Sequence, residues 1–130
     1  MSGRVLLDTN IVIAIFAEES PVLEHVAAAE EVFVPAVALG ELYYGARKSG
    51  RAEANMVRID EFAAAAAILG CDAGTAQQYG RIKNDLRVKG RPIPENDIWI
   101  GAVGMQHDLT VATRDHDHFS QISGLSIEVW

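Results

Sequence analysis

The sequence predicts an α/β fold: a parallel central sheet with helices packed on both faces. Two observations carry that reading. Short apolar runs alternate with longer helical stretches along the 130 residues, the pattern that builds strand–helix–strand crossovers. In addition, "VLLDTNIVIAIF" at residues 5–16 is an apolar run interrupted by Asp8, Thr9 and Asn10. A carboxylate therefore stands where a first buried strand ends. The length suits one domain, 1–130, with a core of its own.

The elements follow in order. "RVLLD" is a strand closing at Asp8, and Asn10 to Ala17 is helical. Ser20 and Pro21 form a cap and a proline at the first helical position, opening a helix through about Glu30. "EVFVP" is a second strand closed by Pro35, and Val37 to Lys48 is helical by pattern. A helix through Phe62 and the alanines beyond it is expected to stop at Gly70. Asp72 caps the next helix, whose inward stripe is Thr75, Tyr79, Ile82 and Leu86 and whose end is Gly90. "RPIPEN" is a loop, and Asn96 or Asp97 starts a helix to about His107. "LTVAT" is a third strand and "LSIEVW" a fourth. No internal repeat or linker interrupts the series.

Composition narrows the function classes. Apolar residues make up 49% of the chain, and no apolar stretch approaches the roughly 18 residues of a membrane span. A strand begins almost at the first residue, which leaves no room for a signal peptide. The single cysteine, Cys71, rules out a disulfide framework and a multi-cysteine zinc site. A cytoplasmic protein is expected. The net charge of −7 argues against nucleic acid as a partner, but the basic residues are clustered. Arg81, Lys83, Arg87, Lys89 and Arg91 fall within "RIKNDLRVKGR", and Arg47, Lys48, Arg51 and Arg58 lie together upstream. Such runs are either phosphate-binding faces or solvated helix faces.

The acids are the more telling feature. In open α/β sheets, ligands bind beyond the carboxyl ends of the strands, where strand order reverses. Asp8 follows the first strand and Asp115 follows "LTVAT", so both face one crevice if these strands are neighbours. Glu41 has Val37, Ala38, Tyr44 and Gly45 at its helical i±3 and i±4 positions; Asp97 has Ile93, Pro94, Ile100 and Gly101. Neither has a Lys or Arg there to pair with, and an unmatched buried charge is costly. Singly, Asp8 and Asp115 are explicable as turn or cap residues and Asp97 as a helix cap. Converging, carboxylates about 5 Å apart repel by roughly 3 kcal/mol per pair at an effective dielectric near 20. A hard divalent cation with oxygen ligands, Mg²⁺ or Mn²⁺, removes that repulsion.

"LLDTN", "GELYYGARKS" at 40–49, "PENDIWIGA" at 94–102, and "TRDHDHF" followed by "ISGLSIEVW" resemble, in order and spacing, the motifs of PIN-domain ribonucleases. The match is to the VapC toxin branch of toxin–antitoxin pairs, over essentially the whole chain. The resemblance implies a PIN-like three-layer α/β/α domain and a metal-dependent endoribonuclease that hydrolyses RNA by metal-activated water, leaving a 5′-phosphate and a 3′-hydroxyl. The family's acids fall on Asp8, Glu41 and Asp97, with Asp115 as the fourth catalytic and metal-binding residue. Thr9, Asn10, Asn96 and Thr113 support them. Asp117 is a rival for the fourth position, reached only by shifting register against "VATR". The implied partners are RNA, a VapB-like antitoxin with a cationic tail over the crevice, and a second toxin copy in a homodimer and larger assembly.

Other readings are available. His116 and His118 suggest zinc, but their neighbourhood is a polar loop without further Cys or His at ligand spacing. The glycines form neither a GxGxxG pattern nor a P-loop. Haloacid-dehalogenase-like phosphatases place a nucleophilic Asp after strand one, yet with a second Asp two residues on, where this chain has Asn10. A binding module that keeps the fold to dock an antitoxin is the remaining alternative.

Overall fold

The computed structural model describes residues 3–130. The chain runs β1 (Arg4–Leu7), α1 (Thr9–Phe16), α2 (Ser20–Ala28), β2 (Glu31–Pro35), α3 (Ala36–Arg47) and α4 (Ala52–Ala65). It continues through β3 (Ala67–Leu69), α5 (Ala73–Lys89), α6 (Glu95–His107), β4 (Thr110–Thr113), α7 (His116–Phe119) and β5 (Ile127–Val129). All strand pairs are parallel, in the order β3-β2-β1-β4-β5.

The central strand explains the layering. Val5, Leu6 and Leu7 are all buried, as a parallel strand covered on both faces requires. Alternate side chains leave opposite faces. Val5 and Leu7 join Ile11, Val22, Leu42 and Ile59 from α1 to α4. Leu6 joins Ile82, Leu86, Ile100 and Phe119 from α5 to α7. Two cores sandwich one sheet, and the three-layer expectation is met.

Strand order also locates the crevice. From β1 the chain builds outward through β2 to β3, then crosses the sheet to add β4 and β5 on the other side. The order therefore reverses between β1 and β4, the place where open α/β sheets bind ligands. Leu7 pairs with Ala112, so Asp8 and Thr113 leave the two strands at the same level.

Several elements differ from expectation. The alanine-rich helix stops at Ala65 rather than Gly70, and β3 takes Ala67–Leu69, pairing Val34 with Ile68. Helix propensity favours continuing through the alanines, but edge pairing to β2 places Ile68 and Leu69 against the two cores. Helix α6 begins at Glu95 behind Pro94, so Asp97 lies in its first turn and is not the cap. The one-turn helix α7 was not expected, and the last strand holds three residues of "LSIEVW". Trp99 stacks on Tyr79 with ring centroids 4.0 Å apart. A Cβ at Gly101 would meet Ile122 Cδ1 at 2.5 Å, which accounts for glycine on the buried face of α6.

Candidate metal centre

Asp8 anchors the site. Its N–H donates to the Ala112 carbonyl at 3.0 Å, continuing the β1–β4 ladder by one step. The residue then caps α1, with one carboxylate oxygen accepting the Thr9 N–H at 2.8 Å. The other oxygen accepts the Thr113 hydroxyl at 2.7 Å. Asp8 is only 3% exposed, and burial pushes its pKa up to about 6, although both hydrogen bonds favour the charged form. The charges of Asp97 and Asp115 add to the rise.

The other acids arrive from different elements. Glu41, on α3, accepts the Thr9 hydroxyl at 2.7 Å, so Thr9 ties two acids together. Asp97, on α6, is buried with one oxygen 2.7 Å from His118 Nδ1. Burial raises its pKa, the His118 hydrogen bond opposes the rise, and the charges of Asp115 and Glu41 reinforce it. Asp115 precedes α7, yet its carboxylate does not cap that helix; it accepts the Asn10 amide at 3.2 Å. Its N–H donates to Thr113 Oγ1 at 2.9 Å, so the Thr113 hydroxyl holds Asp8 and the Asp115 backbone in one frame. Asn10 also accepts the Arg114 N–H, at 3.3 Å.

The structure thus brings Asp8, Glu41, Asp97 and Asp115 into one neighbourhood with Thr9, Asn10 and Thr113 bonded to them. Asn96 is exposed, and its side chain has no hydrogen-bond partner among the described residues. Asp117 points to solvent, its side chain fully exposed beside His116. His118, whose sequence neighbourhood is a polar loop, lies in the site: donor atoms of Asp97, Asp115 and His118 lie within 4.8 Å of one another. The available signal was the i, i+3 spacing of Asp115 and His118, which one helical turn places side by side.

The cations of α5 are engaged elsewhere. Lys83 pairs with Glu95 at 2.9 Å and Lys89 with Asp85 at 3.0 Å. Arg81 bonds Gln78 and Arg87 bonds Asn84. Arg91 is exposed. Lys83 and Arg87 border a largely apolar groove of about 630 Å³ between α5 and the α6 entry, separate in its lining from the four acids.

The donor set suits a hard divalent ion. Four carboxylates, two of them desolvated, supply oxygen ligands, and three hydrogen-bonded polar partners leave lone pairs free on each acid. Asn10 holds Asp115, so the position where the phosphatases need a second Asp already has a structural task.

A parallel sheet with acids gathered at the β1/β4 reversal defines a class, and the chain belongs to it: residues 5–125 match the PIN domain family. Within that family it is similar to VapC ribonucleases. Ribonuclease VapC2 of Haemophilus influenzae is 33% identical over 131 residues, spanning 98% of both chains. The tRNA(fMet)-specific endonuclease VapC of Shigella flexneri is 32% identical, again over 98% of both. The crystal structure of DNA-bound VapBC from Salmonella typhimurium overlays with a TM-score of 0.90 at 29% identity, covering 100% of this chain and 99% of that one. No helix among the described residues is long and apolar enough to cross a membrane.

The Asp8 carboxyl yields a signed prediction. Its folded pKa of about 6 lies above the ordinary 3.8, so the metal-free fold gains from Asp8 fully below pH 3.8 and loses that gain as pH rises through 6. The full difference is about 3 kcal/mol. Asp8→Asn, measured by denaturant unfolding in chelator, is expected to be more stable than the parent at pH 8, with the advantage gone at pH 4. A variant less stable than the parent at pH 8 would make Asp8 a structural cap instead.

Proposed function

We propose that this chain hydrolyses RNA in the crevice beyond β1 and β4, using Mg²⁺, or Mn²⁺ in its place, held by Asp8, Glu41, Asp97 and Asp115. It is an endoribonuclease of the VapC type, the toxin of a toxin–antitoxin pair. The observation that carries the metal reading is Asp8: a desolvated carboxyl, placed among further acids, on the strand end where ligands of this architecture bind.

A divalent ion held by Asp8, Glu41, Asp97 and Asp115 would supply Lewis acidity and a water of lowered pKa. The chain's own residues prepare for that. Thr113 fixes Asp8 against β4, Thr9 aims Glu41, and Asn10 aims Asp115, so these three carboxylates are oriented before substrate arrives. Preorganisation of this kind avoids reorganisation during the reaction. Thr113 is fully buried and its hydroxyl oxygen also accepts the Asp115 N–H, which keeps it from reaching phosphorus. The proposed reaction is hydrolysis by water, leaving a 5′-phosphate and a 3′-hydroxyl.

A crevice with four acids repels RNA phosphates until cations offset it, so phosphate contacts elsewhere on the surface have a task. Arg87 and Arg91, without acidic partners among the described residues, supply phosphate contacts away from the crevice, and the Lys83–Glu95 and Lys89–Asp85 pairs keep Lys83 and Lys89 as the weaker contributors beside Arg81. The same acidic crevice attracts a VapB-like antitoxin through an Arg or Lys on its tail. The toxin self-associates as a homodimer within the larger assembly.

Purified chain freed of antitoxin should cut RNA internally with Mg²⁺ or Mn²⁺ and stop in EDTA. Undiminished cutting in EDTA by nuclease-free preparations contradicts the proposal. Asp115→Ala is expected to raise the metal concentration for half-maximal cleavage by roughly tenfold or more, and Asp117→Ala to leave it nearly unchanged. A larger effect from Asp117→Ala would move the fourth ligand one step along the loop.

A further inference from the structure

His118 is the imidazole that joins Asp97 and Asp115 in the acidic crevice, and its placement is well constrained. Phe119, its neighbour, is 0% exposed and locks α7 into the core of the second layer. The His118 N–H donates to the Asp115 carbonyl at 3.1 Å, closing the single turn that sets the Asp115 and His118 side chains next to each other. The imidazole Nδ1 lies 2.7 Å from Asp97 Oδ2. One atom each from Asp97, Asp115 and His118 forms a triangle with no side over 4.8 Å, close to the span of ligands sharing one ion at about 2.1 Å. His116, two residues away, has its side chain 61% exposed against 41% for His118 and is not part of the triangle.

We propose that His118 is a ligand of the crevice metal, making it a mixed nitrogen–oxygen site that prefers Mn²⁺ and the later first-row ions to Mg²⁺. The inference rests on the reading of this crevice as a divalent-metal site and adds to it the identity of one ligand and the ion selected. Mg²⁺ gains little from exchanging an oxygen ligand for imidazole. Affinity for nitrogen ligands rises from Mn²⁺ toward Ni²⁺ and Cu²⁺. The hydrogen bond between His118 and Asp97 then belongs to the metal-free state, where it offsets part of the burial of Asp97. With the ion bound, His118, Asp97 and Asp115 would each offer it a ligand atom in place of that hydrogen bond.

Two measurements on the full chain, without RNA, test this. Pulsed electron paramagnetic resonance of bound Mn²⁺ should show coupling to a directly ligated imidazole ¹⁴N. The coupling should persist in His116→Gln and vanish in His118→Gln. Calorimetric titration with Mn²⁺ and with Mg²⁺ should give an affinity ratio that favours Mn²⁺, and His118→Gln should reduce that ratio roughly tenfold or more. His118→Asp should restore binding while favouring Mg²⁺. Mn²⁺ bound without ¹⁴N coupling, or a ratio unmoved by His118→Gln, overturns the proposal and leaves the four-acid site standing. Failure of both ions to bind the parent chain overturns the metal reading and this proposal with it.

Discussion

A carboxylate buried at the end of the central strand is the constraint on which this molecule is organised. Asp8 continues the β1–β4 ladder through its N–H and spends both oxygens on hydrogen bonds, to the Thr9 amide and the Thr113 hydroxyl. Even so, burial dominates, and its carboxyl is held near pH 6. A cost of about 3 kcal/mol at neutral pH is a large part of the 5–15 kcal/mol by which domains are usually stable. The surrounding structure holds that carboxyl in place, as the proposed metal site requires.

The device is distributed over the fold. Sheet order brings β4 beside β1, which puts Thr113 against Asp8 and Asp115 just beyond it. Helix α3 brings Glu41 to Thr9, and α6 brings Asp97 from the opposite layer to His118 on α7. Each acid comes from a separate element, so the two hydrophobic cores fix the distances between charges. The rigidity that packing gives the cores is passed to the site.

Much of this was legible in the sequence. The α/β alternation, the central buried strand and three of the acids stand out because those acids depart from their local pattern, Asp8 within an apolar run, Glu41 and Asp97 on inward faces without a basic neighbour; Asp115 was legible only from its place after a strand. Thr9 and Asn10 were legible as the polar pair beside Asp8. Short elements were not. β3 has three residues, too few for a strand period to show against an alanine run, and α7 has four. Missing α7 hid His118, because its approach to Asp97 depends on a turn that exists only once Phe119 is buried. The basic stretch on α5 was visible as charge alone; its pairing with Glu95 and Asp85 depends on how α5 and α6 pack.

Proton release on metal binding tests the central claim most directly. Titrating the chain with Mn²⁺ in buffers of differing ionisation enthalpy counts the protons displaced at each pH. If binding needs the Asp8 carboxylate ionised from a pKa of about 6, release should approach one proton or more near pH 5.5 and decline steeply toward pH 8. A proton count that is small and flat across that range would show that the ion does not draw on the buried acids, and would contradict the account.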